Sequence, residues 1–450
     1  MRGLAMQAAA CATRFIVTIG FALVITLFTT LSAPPFTAAL AAQQTRAISA
    51  DALLDSIGVT IHINFTDGAY ADVRKVSDDL AWAGVHHVRE GAPAESIPLS
   101  SYLWLAQHGA KFNFVILGDI DNSLRQLDRF AALAPDSIAA VEGPNEIDNF
   151  PITYNGLKGD AAGLAAQRAI YAHVHGSAQL KGVPVYDMTG YGIAKVDTRA
   201  NAADFANHHV YPQNGDQPAY NANGALWLPW AINSVRKYQL PIVLTEFGYF
   251  SSPQAGWNSL GVDEATQAKG VLNGLFDAAS LGVTRTYLYE LLDEKPDPQH
   301  KNNEMHYGLF RYDHTPKPSA SAIRNLTAIL RANATEGAAN ANSPNASSSC
   351  VLSGMPQSAR SLLLTRSDGR YFIALWNEAP FWDRATGKPL NAPPVSVQVD
   401  FGAKAGRVAL YDPTVSATPL ATHADLQRLA VEVPDHVVLL EVTLAGTPGA

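Results

Sequence analysis

From about Asp51 to Leu330 the chain alternates between two kinds of apolar pattern. Short runs rich in β-branched and aromatic residues are followed by longer alanine-rich segments in which apolar residues recur at helical spacing. This alternation is typical of repeated β-α units, and eight units close a barrel. The predicted strands are Ile57 to Ile63, His86 to Arg89, Phe112 to Leu117, Ile138 to Glu142, Val183 to Met188, Phe205 to Val210, Ile242 to Glu246 and Arg285 to Leu291.

The segments between these strands predict the helices that surround such a barrel. The sequence therefore predicts an α/β fold, a TIM (β/α)8 barrel, spanning residues 43 to 332. Its predicted helices are Ala71 to Ala83, Ser123 to Leu133, Gly163 to His175, Trp227 to Tyr238, Asp263 to Leu281 and Ser319 to Leu330.

The composition changes after Leu330. Residues 333 to 349 are almost entirely Ala, Asn, Ser, Gly, Thr and Pro, which predicts a flexible linker. Short apolar runs separated by turn residues follow, and they predict a C-terminal antiparallel β-sandwich as an accessory domain over residues 350 to 450. Whether this domain binds carbohydrate or only covers the barrel stays open. Its predicted strands are Ser361 to Thr365, Tyr371 to Trp376, Val395 to Phe401, Arg407 to Tyr411, Leu429 to Val433 and Val437 to Leu444.

The N-terminus has the layout of a secretory signal peptide. Arg2 and Arg14 precede an apolar run from Phe15 to Leu31, and small residues follow up to Ala42. We therefore expect residues 1 to 42 to be a signal peptide and the mature protein to be secreted or periplasmic. An uncleaved segment of this length would instead anchor the protein to the membrane, the only case in which we expect a membrane partner.

Charge and cysteine content narrow the choice of partners. The formal charge is -8, and removal of residues 1 to 42 takes away two arginines and no acid, so it becomes -10. Such an acidic chain without a basic patch is not expected to bind nucleic acid. Cys350 is the single cysteine beyond the signal, which excludes an intrachain disulfide. We expect a monomer without a cofactor or a metal ion.

Two acids stand where a barrel places its chemistry. Glu146 follows the fourth predicted strand after Gly143-Pro144-Asn145, and Glu246 ends the seventh. In this fold active sites are built at the carboxyl ends of the strands, so both carboxylates are expected at one rim. A carboxyl pair is what glycoside hydrolysis needs, because one group donates a proton to the leaving oxygen and the other attacks the anomeric carbon. The proton donor is expected to have a raised pKa.

The chain resembles the clan A glycoside hydrolases, in which Asn-Glu follows strand four and a second Glu follows strand seven. Asn145-Glu146 and Glu246 match in type, order and strand number. The resemblance implies a retaining enzyme with Glu146 as acid/base, Glu246 as nucleophile and Asn145 as a ligand of the sugar 2-hydroxyl. A barrel followed by a small β-sandwich is closest to the family 39 enzymes.

Four further residues are expected to bind substrate or support the pair. Arg89 matches an arginine often found after strand two, and His209 and Tyr211 match a His-x-Tyr after strand six. Clan members often carry a tryptophan after strand eight, whereas this chain has Tyr289 followed by Glu290. Tyr289 is expected to replace that platform, and the sugar and linkage stay open.

These residues predict a retaining hydrolase of β-linked glycosidic bonds in an extracellular polysaccharide or oligosaccharide. The alternatives are a transglycosylase and a non-catalytic glycan-binding barrel. His62 and Asn64 are equally compatible with substrate contact and with structural roles. Trp257 and Tyr249 are candidates for stacking on sugar faces, whereas helical spacing favours core positions for Trp227 and Trp230. One further group of acids and histidines has irregular spacing that favours a solvated surface over a metal site. It comprises Asp293, Glu294, Asp297, His300 and His306.

Overall fold

The computed structural model of the protein describes residues 47–190, 199–220, 226–256, 260–332 and 350–445. The predicted signal peptide, the predicted linker and Trp257 lie outside these residues. In the described part of the chain, no helix combines the length and the hydropathy needed to cross a membrane.

Eight parallel strands form the predicted barrel. They follow one another around the sheet in the order β5-β4-β3-β2-β1-β8-β7-β6, and a parallel bridge between Tyr186 and Phe205 joins the two ends of this order. The predicted fold class is therefore confirmed. The strands are β1 (Ile57–Thr60), β2 (His87–Gly91), β3 (Lys111–Val115), β4 (Ile138–Glu142), β5 (Val185–Tyr186), β6 (Ala206–Val210), β7 (Ile242–Phe247) and β8 (Val283–Leu288).

A small apolar cluster fills the barrel interior below the strand ends. Ala140, Tyr186, Val243 and Tyr287 pack together there, and all four are buried. Gly58 makes room for the Tyr287 ring, since a Cβ at this position would lie 2.5 Å from Tyr287 Cδ1. The barrel is thus a packed core with its open end at the carboxyl ends of the strands.

The helices begin and end close to the predicted positions. Asp72, Asp119 and Asp263 accept hydrogen bonds from the first free backbone amides of three of them, which fixes where those helices start. The two helices Ala50–Asp55 and Leu99–Gln107 were not predicted. The others are Val73–Ala83, Ile120–Ala131, Gly159–Gly176, Trp227–Arg236, Glu264–Leu281 and Pro318–Arg331, with short 3-10 turns at Ala69–Ala71, Pro135–Ser137 and Asn303–His306.

The C-terminal region is one largely antiparallel sheet that folds over itself. Val395–Tyr411 is a single long strand where the sequence predicted two, and it pairs with three other strands. Val399 from its first half and Ile373 pack in one apolar cluster, as in a sandwich. The remaining strands of this sheet in the C-terminal region are Val351–Ser353, Ala359–Thr365, Tyr371–Asn377, Ala421–Val433 and Val438–Leu444. Two separate hairpins have two-residue strands: one at Thr153–Tyr154 and Leu157–Lys158, the other at Trp382–Asp383 and Lys388–Pro389.

The first strand of the described chain belongs to this C-terminal sheet. Ala47–Ser49 runs parallel to Leu363–Thr365 at the sheet edge. The face of the sheet that bears Phe372 and Trp376 shares one continuous apolar core with the barrel helices. The sheet therefore covers the barrel. The sequence left open whether this region covers the barrel or binds carbohydrate, and the packing answers the first of these questions.

Candidate active site

Glu146 and Glu246 meet at the open end of the barrel. One carboxylate oxygen of each and one ring nitrogen of His209 all lie within 4.8 Å of one another. Retaining glycoside hydrolases hold their two carboxyl groups about 5 to 5.5 Å apart, whereas inverting enzymes need a wider gap for a water molecule. The observed separation fits the retaining arrangement.

The loop after β4 is held tightly against its neighbours. A Cβ on Gly143 would lie 1.6 Å from Gln167 Oε1, so only glycine fits where this helix side chain crosses the chain. Glu146 has a φ of 42°, and its amide donates to Thr189 Oγ1 at 3.0 Å. The carboxylate of Glu146 is therefore placed by a constrained backbone.

Glu246 is nearly buried, and three side chains converge on it. Arg89 Nη1 donates to Glu246 Oε1 at 2.6 Å, and the Tyr211 hydroxyl donates to Oε2. His209 Nδ1 lies 3.3 Å from Oε2. A shift in the pairing register of β7 beside Leu244 and Glu246 turns this side chain toward the mouth.

Arg89 is the centre of the charge network. Burial lowers the pKa of its guanidinium, but the charges of Glu142 and Glu246 raise the pKa above its ordinary value, so Arg89 stays cationic. Its Nη2 also donates to Asn145 Oδ1 at 2.7 Å. Asn145 also lines the cavity, with its Oδ1 held by Arg89.

Glu142 is a functional candidate that the sequence reasoning missed. It is fully buried, and Arg89 forms a two-point ion pair with it through Nε at 2.9 Å and Nη2 at 2.8 Å. Asn113 Nδ2 donates to it at 2.6 Å and Thr245 Oγ1 at 3.0 Å. Because alternate residues of a strand share a face, its spacing from Ala140 was the available signal that Glu142 points inward.

Glu146 has a different environment from Glu246. Its Oε1 lies 2.8 Å from His209 Nδ1, and Asn149 Nδ2 donates to its Oε2 at 2.9 Å. Burial raises the pKa of Glu146, but the hydrogen bond and charge of His209, with the Asn149 amide, lower it to about 2. Glu146 is thus ionised in the free site, contrary to the expected raised pKa. His209 Nε2 lies 3.0 Å from Thr245 Oγ1, so both ring nitrogens face oxygens.

The carboxylate pair lines a cavity of about 610 Å³. Tyr289 forms part of its wall, as expected, together with Tyr211 and Tyr307, whose rings pack edge to face. Its acids Glu90 and Glu304 and the exposed ring of Phe150 at the rim were not predicted. Other lining residues include His62, Asn64, Phe65, Arg89, Leu117, Asn145, Asn149 and Phe250.

The other candidate residues from the sequence differ in whether they line the cavity. His62 and Asn64 line the cavity, whereas Trp227 and Trp230 do not. Tyr249 is buried in the core. Within the described chain, the suspected group on the loop after β8 does not assemble as one metal site. Asp293 pairs with Lys317 at 2.6 Å and Asp297 with His306 at 3.2 Å, while the His300 ring stacks on His306 and its Nδ1 lies 2.9 Å from Ser252 Oγ.

Known proteins resemble this chain in structure only. No protein-family model matches the sequence, and the comparison with curated proteins finds no match. A family 39 glycoside hydrolase from the gut symbiont Bacteroides cellulosilyticus WH2 superposes with a TM-score of 0.59 at 14% identity, over 88% of this chain and 82% of its own.

Two further neighbours extend over nearly the same part of the chain. The GH39 enzyme from Xanthomonas axonopodis pv. citri has a TM-score of 0.52 at 13% identity, over 89% of this chain and 96% of its own. A monomeric β-xylosidase from Caulobacter crescentus CB15 has a TM-score of 0.51 at 14% identity, over 87% and 96%. The barrel and sheet of this chain are therefore the fold of the family 39 glycoside hydrolases.

Proposed function

We propose that this protein is a retaining glycoside hydrolase that cleaves β-linked glycosidic bonds. The observation that supports this most is the approach of Glu146 and Glu246 to within 4.8 Å in a cavity of sugar-binding size. Different neighbours surround the two carboxylates, as two different roles require. The fold shared with family 39 enzymes is consistent with the same reaction class.

Glu246 is the proposed nucleophile. Arg89 and Tyr211 orient its carboxylate and keep one oxygen aimed at the cavity. That oxygen attacks the anomeric carbon as the bond to the leaving oxygen breaks, which forms a covalent glycosyl-enzyme. Asn145 is the proposed ligand of the sugar 2-hydroxyl, with Arg89 holding its amide in place.

Glu146 is the proposed acid and base, and His209 Nδ1 lies 2.8 Å from its carboxylate. Because Glu146 is ionised in the free site, we infer that its carboxyl gains a proton as substrate binds, since further burial by the substrate raises its pKa. In the second step the Glu146 carboxylate removes a proton from water, the water oxygen attacks the anomeric carbon, and Glu246 leaves.

The proposed location and substrate rest on the sequence. The N-terminal pattern of Arg2, Arg14 and the apolar run to Leu31 supports export, and the proposed substrate is an extracellular oligosaccharide or polysaccharide. A screen of purified protein against extracellular polysaccharides, with product masses recorded, identifies it. Products longer than the substrate would identify transglycosylation instead.

The decisive test replaces each carboxylate. Glu246→Ala is expected to lower turnover by at least about 10⁴-fold, because the nucleophile is lost. Azide should restore turnover in this variant with an inverted glycosyl azide as product, whereas Glu146→Ala should give the retained one. Glu432→Ala, at an exposed position in the C-terminal sheet, is the control and should leave activity unchanged. Activity that survives both single changes would refute the proposal.

A further inference from the structure

A second cluster of potential ligands lies behind the cavity wall. One ring nitrogen of His62 and one carboxylate oxygen each of Glu290 and Glu294 lie within 4.8 Å of one another. His62 follows β1, and the two glutamates lie on the segment after β8, its neighbour in the barrel. This cluster differs from the set of acids and histidines that the sequence suggested on the loop after β8. Glu294 is the one residue that both contain.

Glu290 is the anomaly in this cluster. It is fully buried, and its Oε1 has no hydrogen-bond partner in the structure, while Oε2 accepts from the Tyr70 hydroxyl at 2.8 Å. Glu294, Glu304 and Asp293 are among the charged side chains that act on it, and all three are acids. A carboxyl group buried among other acids is costly to ionise unless a cation balances it, and it otherwise holds a proton.

His62 has the complementary deficit. Its Nε2 is buried and has no hydrogen-bond partner among the described residues, and it lies 3.5 Å from Glu290 Oε2. Two ligand atoms on one tetrahedral zinc ion are about 3.3 Å apart, because each lies about 2.0 to 2.1 Å from the metal. The imidazole and the carboxylate are therefore spaced almost as a shared metal ion would hold them.

We propose that His62, Glu290 and Glu294 bind one divalent transition-metal ion. The imidazole nitrogen favours zinc over calcium or magnesium, which prefer oxygen ligands alone. Glu294 is half-buried and is able to move the short distance that closes the site, and water completes the coordination. Because the ring of His62 also lines the cavity, the ion would fix one wall of the substrate site from behind.

This site is independent of the proposed hydrolysis, since it uses neither Glu146 nor Glu246. The experiment titrates Zn²⁺ into EDTA-treated protein by calorimetry and follows thermal unfolding. One equivalent should bind and raise the melting temperature, and Ca²⁺ should do neither. Glu294→Gln and Glu290→Gln should each weaken Zn²⁺ binding by at least about tenfold, because loss of a ligand costs no less than loss of an outer-shell partner.

Two control variants separate this site from neighbouring acids and from the catalytic group. Asp67→Asn removes an exposed acid that pairs with Lys295 near Glu294, and it should leave Zn²⁺ binding unchanged. His209→Asn disrupts the other candidate group, formed with Glu146 and Glu246, and should also bind one equivalent. The proposal is overturned if Zn²⁺ shows no saturable binding. It is equally overturned if binding is lost only in His209→Asn, or persists unchanged in both Glu294→Gln and Glu290→Gln.

Discussion

Two pairs of buried carboxylates in this molecule have opposite electrostatic surroundings. At the barrel mouth, Glu142 and Glu246 flank the guanidinium of Arg89. Between the helix Glu264–Leu281 and the C-terminal sheet, Asp277 and Glu378 are just as buried. There, burial raises the pKa of Asp277 well above its ordinary value and the charge of Glu378 raises it further.

The difference shows that burial alone does not identify a catalytic acid. Asp277 and Glu378 form the interface pair. Arg360 Nε lies 3.6 Å from Glu378 Oε2, and the Trp376 indole donates to Asp277 at 3.0 Å. A shared proton satisfies such a pair. At the mouth, a permanent cation and a cavity of about 610 Å³ face the carboxylates, and this combination is typical of a functional site.

The strongest test of this comparison removes the cation at the mouth. Arg89→Met should destabilise the fold by about 3 to 5 kcal/mol, because it leaves buried carboxylates without their partner. Activity should fall with it. Arg428→Met is the matched control: its side chain is 76% exposed beside Asp400, and surface pairs of this kind contribute about 0 to 1 kcal/mol. Urea denaturation measures both, and equal losses in the two variants would contradict the comparison.

His209 distinguishes the two glutamates at the mouth. His209→Asn removes the largest influence that opposes the burial of Glu146, while Asn149 and Arg89 still lower the pKa, so the pKa of this carboxyl should rise from about 2 toward its ordinary value. Glu146 must be ionised to act as the base of the second step. The acid limb of turnover for an aryl glycoside with a good leaving group should therefore move to higher pH. An unmoved limb would mean that His209 does not control Glu146.

The interface pair of Asp277 and Glu378 should make the folded protein less stable as pH rises. The folded protein holds a proton on Asp277 that the unfolded chain releases above about pH 3.9, so stability should fall as pH rises from there toward the folded pKa. The slope is at most about 1.4 kcal/mol per pH unit. Asp277→Asn should remove this fall and be more stable than wild type at pH 8. Urea denaturation from pH 4 to 8 measures it, and parallel curves would exclude the shared proton.

The sequence predicted most of the framework because periodicity is a local property. Most barrel strands are short apolar runs, although His87–Gly91 and Ala206–Val210 carry several polar residues. The ends of strands four and seven open on the same rim, so Glu146 and Glu246 were found from their positions. The helix Leu99–Gln107 was missed because its apolar residues lie on several sides, without a polar face to mark its period.

The rest depended on contacts between distant residues. The low pKa of Glu146 comes from His209, 63 positions away, and no local pattern encodes that orientation. The approach of His62 to Glu290 likewise joins opposite ends of the barrel sequence. The contact of His62 with Glu290 depends on how β1 pairs with β8, which the sequence predicts only in outline.

The parallel pairing of Ala47–Ser49 with Leu363–Thr365 has a consequence for folding. The partners are more than 300 positions apart, so this sheet edge forms only after nearly the whole chain has emerged. Until Phe372 and Trp376 have emerged and packed, the helix surface that they cover stays exposed to solvent. A chain cut short before the sheet would keep every catalytic candidate yet present a bare apolar flank, and we expect it to aggregate rather than accumulate as a working barrel.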